Sequence, residues 1–225
     1  MGFRITIPQG ERKDELSNIH LRAMESNELL HAQFPKAQSI EFLHGWLGRN
    51  TLEHMQDADK GVLVALAEDD EETMVSFIKW LVHPKATEEE THEEWPECCR
   101  QEYLDSYGDL TQRVRDEVMG AESYYRLFNE CLGTMESNES SADVTFLCTD
   151  PAWSGQGAAT VLLRQVQSMA RADGMPIVLE STMPAVSFYQ KLGFEVRQGL
   201  DMMLPRRGSD EATELYEERC MVWRP

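Results

Sequence analysis

Apolar residues alternate with polar ones at Phe3, Ile5 and Ile7, which predicts a first β-strand over Phe3–Ile7. The period then lengthens. Leu16, Ile19, His20, Ala23 and Met24 recur at helical spacing, predicting a helix from Glu11 to Phe34 that Pro35 stops. A second helical pattern spans Ala37 to Asp57, with Ile40, Leu43, Leu47 and Met55 as core positions. Lys60-Gly61 breaks it, and two strand-like runs follow, Val62–Ala67 and Thr73–Val82. The acidic stretch Asp69-Asp70-Glu71-Glu72 joins them, so they read as a hairpin. From Leu110 to Met135 the pattern is helical again, with Val114, Val118, Tyr125, Phe128 and Leu132 as packing positions; Asn138 to Ala142 reads as a polar loop.

The last third changes element type at short intervals. Val144–Thr149 reads as a strand and Asp150 to Gln156 as a turn rich in small residues. Ala158 to Arg171 is an amphipathic helix, with Ala159, Leu162, Leu163, Val166 and Met169 on one face. Pro176–Glu180 is a short apolar strand. Pro184 to Leu192 is a helix that opens on proline and ends at Gly193, the expected asymmetry. Phe194–Val196 and Cys220–Trp223 read as the last strands.

Composition narrows the function classes. The 225 residues suit one domain. Forty acidic residues against 21 basic ones give a formal net charge of −19, which argues against nucleic acid or anionic lipid as a partner. Glu88, Glu89, Glu90, Glu93, Glu94 and Glu97 crowd the stretch from Pro84 to Arg100, and the span of about 84–142 reads as an acidic insertion in a single domain. Such a stretch is either a solvated surface or an electrostatic lure for a cationic acceptor. Five scattered cysteines form no disulfide framework, and adjacent Cys98-Cys99 has poor spacing for zinc, so no metal is expected. No apolar run is long enough to span a membrane and no secretory signal pattern opens the chain, so the expected location is cytoplasm or nucleus.

The chemistry concentrates in Ser154-Gly155-Gln156-Gly157-Ala158-Ala159-Thr160, which follows a strand and opens a helix. Small residues let backbone N–H groups approach an anion, and a helix N-terminus favours negative charge, so this loop suits a pyrophosphate. Its spacing is neither the dinucleotide fingerprint nor the Walker pattern. The loop resembles the acyl-CoA signature of the GNAT acetyltransferases, Gln/Arg-x-x-Gly-x-Gly/Ala, with Gly157 and Ala159 at its last two fixed positions and Ser154 where the family prefers Gln or Arg. Tyr189-Gln190-Lys191-Leu192-Gly193-Phe194 resembles the family's Tyr-x-Lys-x-Gly-Phe motif; Ala185 precedes it as expected, and Thr182 stands where many members carry Asn. Phe77-Ile78-Lys79-Trp80 and Met221-Val222-Trp223-Arg224-Pro225 are similar to the third and last strands of fungal-type members.

The resemblance implies an α/β GNAT fold: a mixed, mostly antiparallel sheet of six or seven strands, flanked by helices. Its fourth and fifth strands, here Val144–Thr149 and Pro176–Glu180, should be parallel and splayed, with the acyl-CoA between them. It implies acetyl-CoA as co-substrate, bound by Leu147, Cys148, Thr149, the loop Ser154, Gly155, Gln156, Gly157, Ala158, Ala159, Thr160, and by Thr182 and Tyr189. It also implies that a backbone N–H of the fourth strand polarises the thioester carbonyl. An amine acceptor, with a pKa near ~10, must lose a proton before attack, and a phenol is a suitable donor to the departing thiolate. Tyr189 is accordingly the candidate acid. Glu180 is the candidate base, or else a carboxylate that caps a turn or pairs with an arginine. Asp143, Asp150 and His83 are lesser candidates. Arg164 and Lys191 either meet CoA phosphates or are solvated, and Tyr124, Tyr125, Trp80 and Phe146 either line an acceptor pocket or belong to the core. The expected activity is transfer of acetyl to a primary amine of a small molecule by a monomer or homodimer. A basic peptide, histone tail or polyamine acceptor, or a non-catalytic acyl-CoA-binding module, are the alternatives.

Overall fold

Strands β2 (Lys60–Ala67) and β3 (Asp70–His83) form the predicted hairpin, antiparallel from Lys60↔Leu81 to Ala67↔Asp70. Gly61 faces Trp80 across this ladder, and the indole lies where a side chain at 61 would go: a Cβ there would be 2.1 Å from Trp80 Cζ2. β1 (Phe3–Thr6) adds to the outer side of β2. The computed structural model describes residues 2–83, 95–127 and 146–225. Most of the glutamate-rich stretch, the Asn138–Ala142 loop, Asp143 and Val144 lie outside the described residues.

The helical patterns survive with two corrections. The span predicted as one helix from Glu11 to Phe34 is α1 (Lys13–Ala23) and α2 (Glu28–Gln33), preceded by a 3-10 turn at Gly10–Arg12. Asn27 makes the break: its Oδ1 accepts from Leu30 N at 3.0 Å and starts a second helix. α3 (Ala37–Gln56) agrees with its prediction. The next helix, α4 (Gln101–Met119), starts earlier than the predicted Leu110 and stops at Gly120, whose φ of +57° only glycine adopts readily. Tyr124–Leu127, expected inside that helix, is instead β4, and Phe128–Met135 lies outside the described residues.

β5 (Leu147–Thr149), α5 (Ala158–Asp173), β6 (Ile177–Thr182) and α6 (Val186–Lys191) follow as read from the pattern. The last two strands are far longer than their apolar patches: β7 (Glu195–Pro205) and β8 (Ala212–Trp223) form a long antiparallel hairpin. The result is an eight-stranded, mostly antiparallel sheet in the order β1-β2-β3-β4-β6-β8-β7, with β5 paired to β3.

Two facts about β4 and β5 organise the site. Both run antiparallel to β3, β4 along its end (Leu81↔Arg126 to His83↔Tyr124) and β5 further back (Ile78↔Leu147 to Ser76↔Thr149). They lie end to end along β3, in the place of one fourth strand, and counted separately they bring the described strands to eight. β4 is the part that pairs in parallel with β6, at Tyr125↔Ile177 to Leu127↔Leu179. β5 shares β4's direction but has no ladder with β6, so β5 and β6 are the splayed pair.

Helices cover both faces. α1, α2, α3 and part of α4 pack with Val62, Val64, Leu66, Phe77, Phe146 and Cys148 on one face. On the other, Leu162, Leu163 and Val166 of α5 pack on Ala65, Val75, Ile78, Leu127, Ile177 and Leu179. Val114 and Met119 of α4 cover Val178, Cys220 and Val222.

Candidate active site

The loop ahead of α5 is built by two left-handed glycines. Gly155 and Gly157 have φ of +73° and +97°, and a Cβ at either would meet nothing within 4 Å. The backbone therefore turns sharply into α5 with open space in front of it. Gly157 is the N-cap, Val161 N donates to Gly157 O at 3.1 Å, and the N–H groups of Ala158, Ala159 and Thr160 have no intrahelical acceptor. A cavity of about 420 Å³ opens against this loop. Leu147, Thr149, Trp153, Ser154, Gly155, Gly157, Ala158, Ala159 and Thr160 line it, with Ala185, Phe188 and Tyr189 opposite. This cradle fits a pyrophosphate. Gln156 is not part of its wall; its side chain turns back to Ala152 O at 3.4 Å.

The register of β5 determines which of its backbone groups can serve a ligand. Lys79 N donates to Phe146 O at 2.6 Å and Asp150 N to Val75 O at 2.9 Å, so residues 146, 148 and 150 form the hydrogen-bonded pairs with β3. Leu147 and Thr149 consequently direct their N–H and C=O away from β3, toward the gap before β6. Cys148 directs its own toward β3, where Ser76 Oγ also donates to Cys148 O at 2.7 Å. Of the three strand residues expected to hold the cofactor, Leu147 and Thr149 present backbone donors to the gap and Cys148 does not. The Cys148 side chain is buried with Sγ 3.8 Å from Nδ1 of His20, whose imidazole burial pushes down to about 3, with Lys79 adding a like-charge effect. Lys79 is itself enclosed, bonded to Asn50 Oδ1 at 2.9 Å and pushed down to about 7 by burial.

A second cavity, about 520 Å³, lies on the other side of the gap. Its wall includes Met24, Asn27, Glu28, Leu147, Cys148, Thr149, Thr182, Met183, Ala185, Leu215, Tyr216 and Glu217. Leu147, Thr149 and Ala185 border both cavities. Thr182, expected on the cofactor, borders this second one and not the first.

Tyr189 is buried at the first cavity, its ring edge-on to Phe188 at 5.0 Å and Phe194 at 5.5 Å. Glu180 is fully enclosed on the α4 side of β6, with Oε1 3.2 Å from Nη1 of Arg115, and borders neither cavity. Its Oε2 has no hydrogen-bond partner among the described residues. Asp150 caps the 3-10 turn Pro151–Trp153, accepting from Ala152 N at 3.0 Å and pairing with Arg22 at 2.6 Å. Burial alone would raise its pKa, but the Ala152 N–H and the Arg22 guanidinium outweigh that and hold it below the usual carboxylate range. Arg164 and Lys191 are exposed and border neither cavity. The aromatic set is core: Trp80 and Tyr125 pack under α5, Tyr124 under α4, and Phe146 against His20 at 4.2 Å. None of the four borders either cavity.

Sequence reading missed Tyr216 and Glu218. Tyr216 borders the second cavity, and its hydroxyl donates to Glu218 Oε1 at 2.7 Å and accepts from Asn27 Nδ2 at 3.2 Å. Glu218 is fully buried, and its Oε2 accepts from Tyr107 of α4 at 2.8 Å. The stretch Glu214-Leu215-Tyr216-Glu217-Glu218-Arg219 looks like charged surface. Strand alternation was the available signal, since it places Tyr216, Glu218 and Cys220 on one face.

A family model for the acetyltransferase (GNAT) domain matches residues 83–201, more than half of the chain. No curated protein matches the sequence. Among solved structures, the chain is similar to histone acetyltransferase HPA2 and related acetyltransferase from Corynebacterium glutamicum ATCC 13032, at 15% identity and a TM-score of 0.57 over 100% of this chain and 97% of that one. It is also similar to PaiA N-acetyltransferase from Thermoplasma acidophilum in complex with coenzyme A, at 13% identity and a TM-score of 0.54 over 100% of both chains. NAA60 from Arabidopsis thaliana in complex with a bisubstrate analogue aligns at 11% identity and a TM-score of 0.55, over 99% of this chain and 98% of that one. At these identities the structural likeness speaks for the fold, and the family match carries the rest. With its splayed strands, its glycine cradle at the head of α5 and a domain match across the region that holds them, the chain belongs to the GNAT family of acetyltransferases.

Proposed function

We propose that the protein is an N-acetyltransferase that moves the acetyl group of acetyl-CoA directly to the primary amine of a small molecule. The observation that carries this reading is the pair of cavities meeting at Leu147, Thr149 and Ala185, one against the anion loop and one open to an acceptor. The N–H groups of Ala158, Ala159 and Thr160 bind the pyrophosphate, and the outward-facing backbone of Leu147 and Thr149 pairs with the pantetheine arm. An N–H of the same strand then faces the thioester carbonyl and stabilises the oxyanion formed on attack. Tyr189, at the first cavity, donates a proton to the departing thiolate. The acceptor's own proton goes to a buried carboxylate, for which Glu180 and Glu218 are the two candidates among the described residues.

The second cavity favours a compact, partly apolar amine. Its size suits a small molecule, the exposed apolar side chains of Met183 and Leu215 border it, and Glu28 and Glu217 supply negative charge for a cation.

The test is thermal unfolding with and without acetyl-CoA, in wild type and in Gly157→Glu. A ligand bound only by the folded state raises the melting temperature. A rise in wild type that is absent in Gly157→Glu is expected, followed by release of free CoA thiol with small amines. No rise at millimolar acetyl-CoA, or the same rise in both proteins, would overturn the reading.

A further inference from the structure

A third cavity, about 640 Å³, lies beside the other two, and Thr149 of β5 borders all three. It shares Ala23 and Ser26 with the second cavity as well. With the first it shares only Ser154 besides Thr149, and none of Ala158, Ala159 and Thr160 at the head of α5 borders it. The third cavity therefore extends the acceptor side of the gap more than the cofactor side.

The charges on the two acceptor-side walls are opposite. The second cavity is bordered by Glu28 and Glu217, with no lysine or arginine among the described residues. Arg219, which pairs with Glu217 at 2.9 Å, stands behind that wall. The third cavity is bordered by Arg22 and Arg207 against one acid, Glu25. In a chain with a net charge of −19, two guanidinium groups on one wall run against the general field and supply local donors for an anion.

Both guanidinium groups are held before any ligand arrives. Arg22 directs Nε and Nη2 at Asp150 Oδ2, at 3.0 and 2.6 Å, which ties it to the turn after β5 and matches its charge. Arg207 stands on the turn between β7 and β8, next to Gly208, whose φ of +81° bends the chain there. Its Nη2 donates to Glu25 O, just past the end of α1. A carbonyl orients a guanidinium without neutralising it, and no carboxylate pairs with Arg207 among the described residues. Arg207 thus offers an oriented fork with its charge still unmatched. One such charge beside a matched neighbour suits a single carboxylate better than a phosphate dianion.

We propose that Arg207, with Arg22 beside it, holds a carboxylate carried by the acceptor itself, so that the substrate is an amino acid in the broad sense, an amine and an acid on one molecule. The ammonium end enters the second cavity, where the wall is acidic, and the acid end reaches past Ala23 and Ser26 to the arginines. Arg207 is then a specificity residue that selects the acceptor and takes no part in the transfer. This inference rests on the acetyltransferase reading above and narrows its substrate.

The experiment assays thiol release from acetyl-CoA with β-alanine, γ-aminobutyrate and phenylalanine, each beside its own carboxamide, in wild type, Arg207→Gln, Arg207→Lys and Arg197→Gln. The quantity read is the ratio of kcat/KM for acid over amide, in which the differing basicity of the two amines cancels between variants. Wild type should prefer the acid for at least one spacing, and Arg207→Gln should lower that ratio by about 10-fold, the loss expected for one hydrogen bond to a charged group. Arg207→Lys should restore part of it. Arg197→Gln removes the same charge from β7 outside the three cavities and should leave the ratio at its wild-type value. Arg22 is a poorer probe, because its loss also releases Asp150. Melting shifts with acetyl-CoA and with its 3′-dephospho form are measured in parallel. A wild type that prefers the amides or turns over no acid, or a ratio that Arg207→Gln leaves unmoved, overturns the inference alone. So does an Arg207→Gln variant that weakens acetyl-CoA but not the dephospho form, since the arginines would then hold the cofactor's phosphate. A wild type that acetyl-CoA does not stabilise and that acetylates no amine overturns the acetyltransferase reading and this inference with it.

Discussion

The buried pair Arg115–Glu180 makes the sharpest stability prediction. The two side chains are 1% and 0% exposed, and Nη1 lies 3.2 Å from Oε1, so solvent screens neither charge. Arg115 Nη2 also donates to Gln112 Oε1 at 3.2 Å, which fixes the guanidinium on the inner side of α4. Arg115→Met keeps an unbranched apolar stem and removes the guanidinium, leaving Glu180 enclosed without that cation. Breaking a buried pair from one side costs about 3–5 kcal/mol. For a chain of this size 1 kcal/mol moves the melting temperature by about 2–4 °C, so the variant should melt roughly 6–20 °C lower. The double variant Arg115→Met/Glu180→Met removes both charges at similar volume and should recover most of that loss. Urea unfolding followed by far-UV circular dichroism reads both, with unchanged m values confirming that the same surface unfolds. A single variant within about 1 kcal/mol of wild type, or a double variant as unstable as the single, would refute the reasoning.

Two further predictions concern the core. Burial holds the folded His20 imidazole neutral down to about 3, whereas the unfolded chain protonates it near ~6.5. Within that window the unfolded state binds the extra proton, so stability present above about pH 6.5 is lost as pH falls toward 3. In His20→Gln this part of the acid loss disappears, and the stability difference between wild type and variant should change steadily across the window; a pH-independent difference would contradict it. At Gly61, an added methyl would stand 2.1 Å from Trp80 Cζ2. Gly61→Ala should therefore displace the indole and destabilise the protein by about 1–3 kcal/mol, read as a lower melting temperature, and an unchanged melt would show that the ladder accommodates it.

The legible parts of the fold were those whose apolar period is unmixed. α3, α5 and the β2–β3 hairpin each carry one long pattern and appear where expected. The misread parts depend on single residues or on distant partners. Asn27 and Gly120 each end a helical pattern by a local backbone choice that the surrounding apolar spacing does not reveal. β4 is buried on both faces, so its four residues show no alternation and merge with the preceding helix. β7 and β8 have one exposed face of charged residues, which hid most of their length.

The site divides in the same way. Its glycine turn at the head of α5 was legible because it needs a particular local backbone, whose positive φ values Gly155 and Gly157 adopt cheaply. The Tyr107–Glu218 contact joins residues 111 positions apart, and nothing in either segment names the other. Glu180 was singled out for its place beside the motif, but its partner Arg115 emerged only once α4 was seen to lie over β6.

The end-to-end placement of β4 and β5 on β3 has a consequence for the register of the sheet. Arg126 stands opposite Leu81 and Leu147 opposite Ile78, so Leu127 and Phe146 occupy successive steps along β3. Strand positions are about 3.3 Å apart, the distance one peptide unit covers. A polypeptide passing straight from Leu127 to Phe146 would continue in the same register, with the same side chains on the same faces. A direct joining of the two would therefore leave every described pairing of β4 and β5 with β3 in place, and the scaffold of the site would stay in phase.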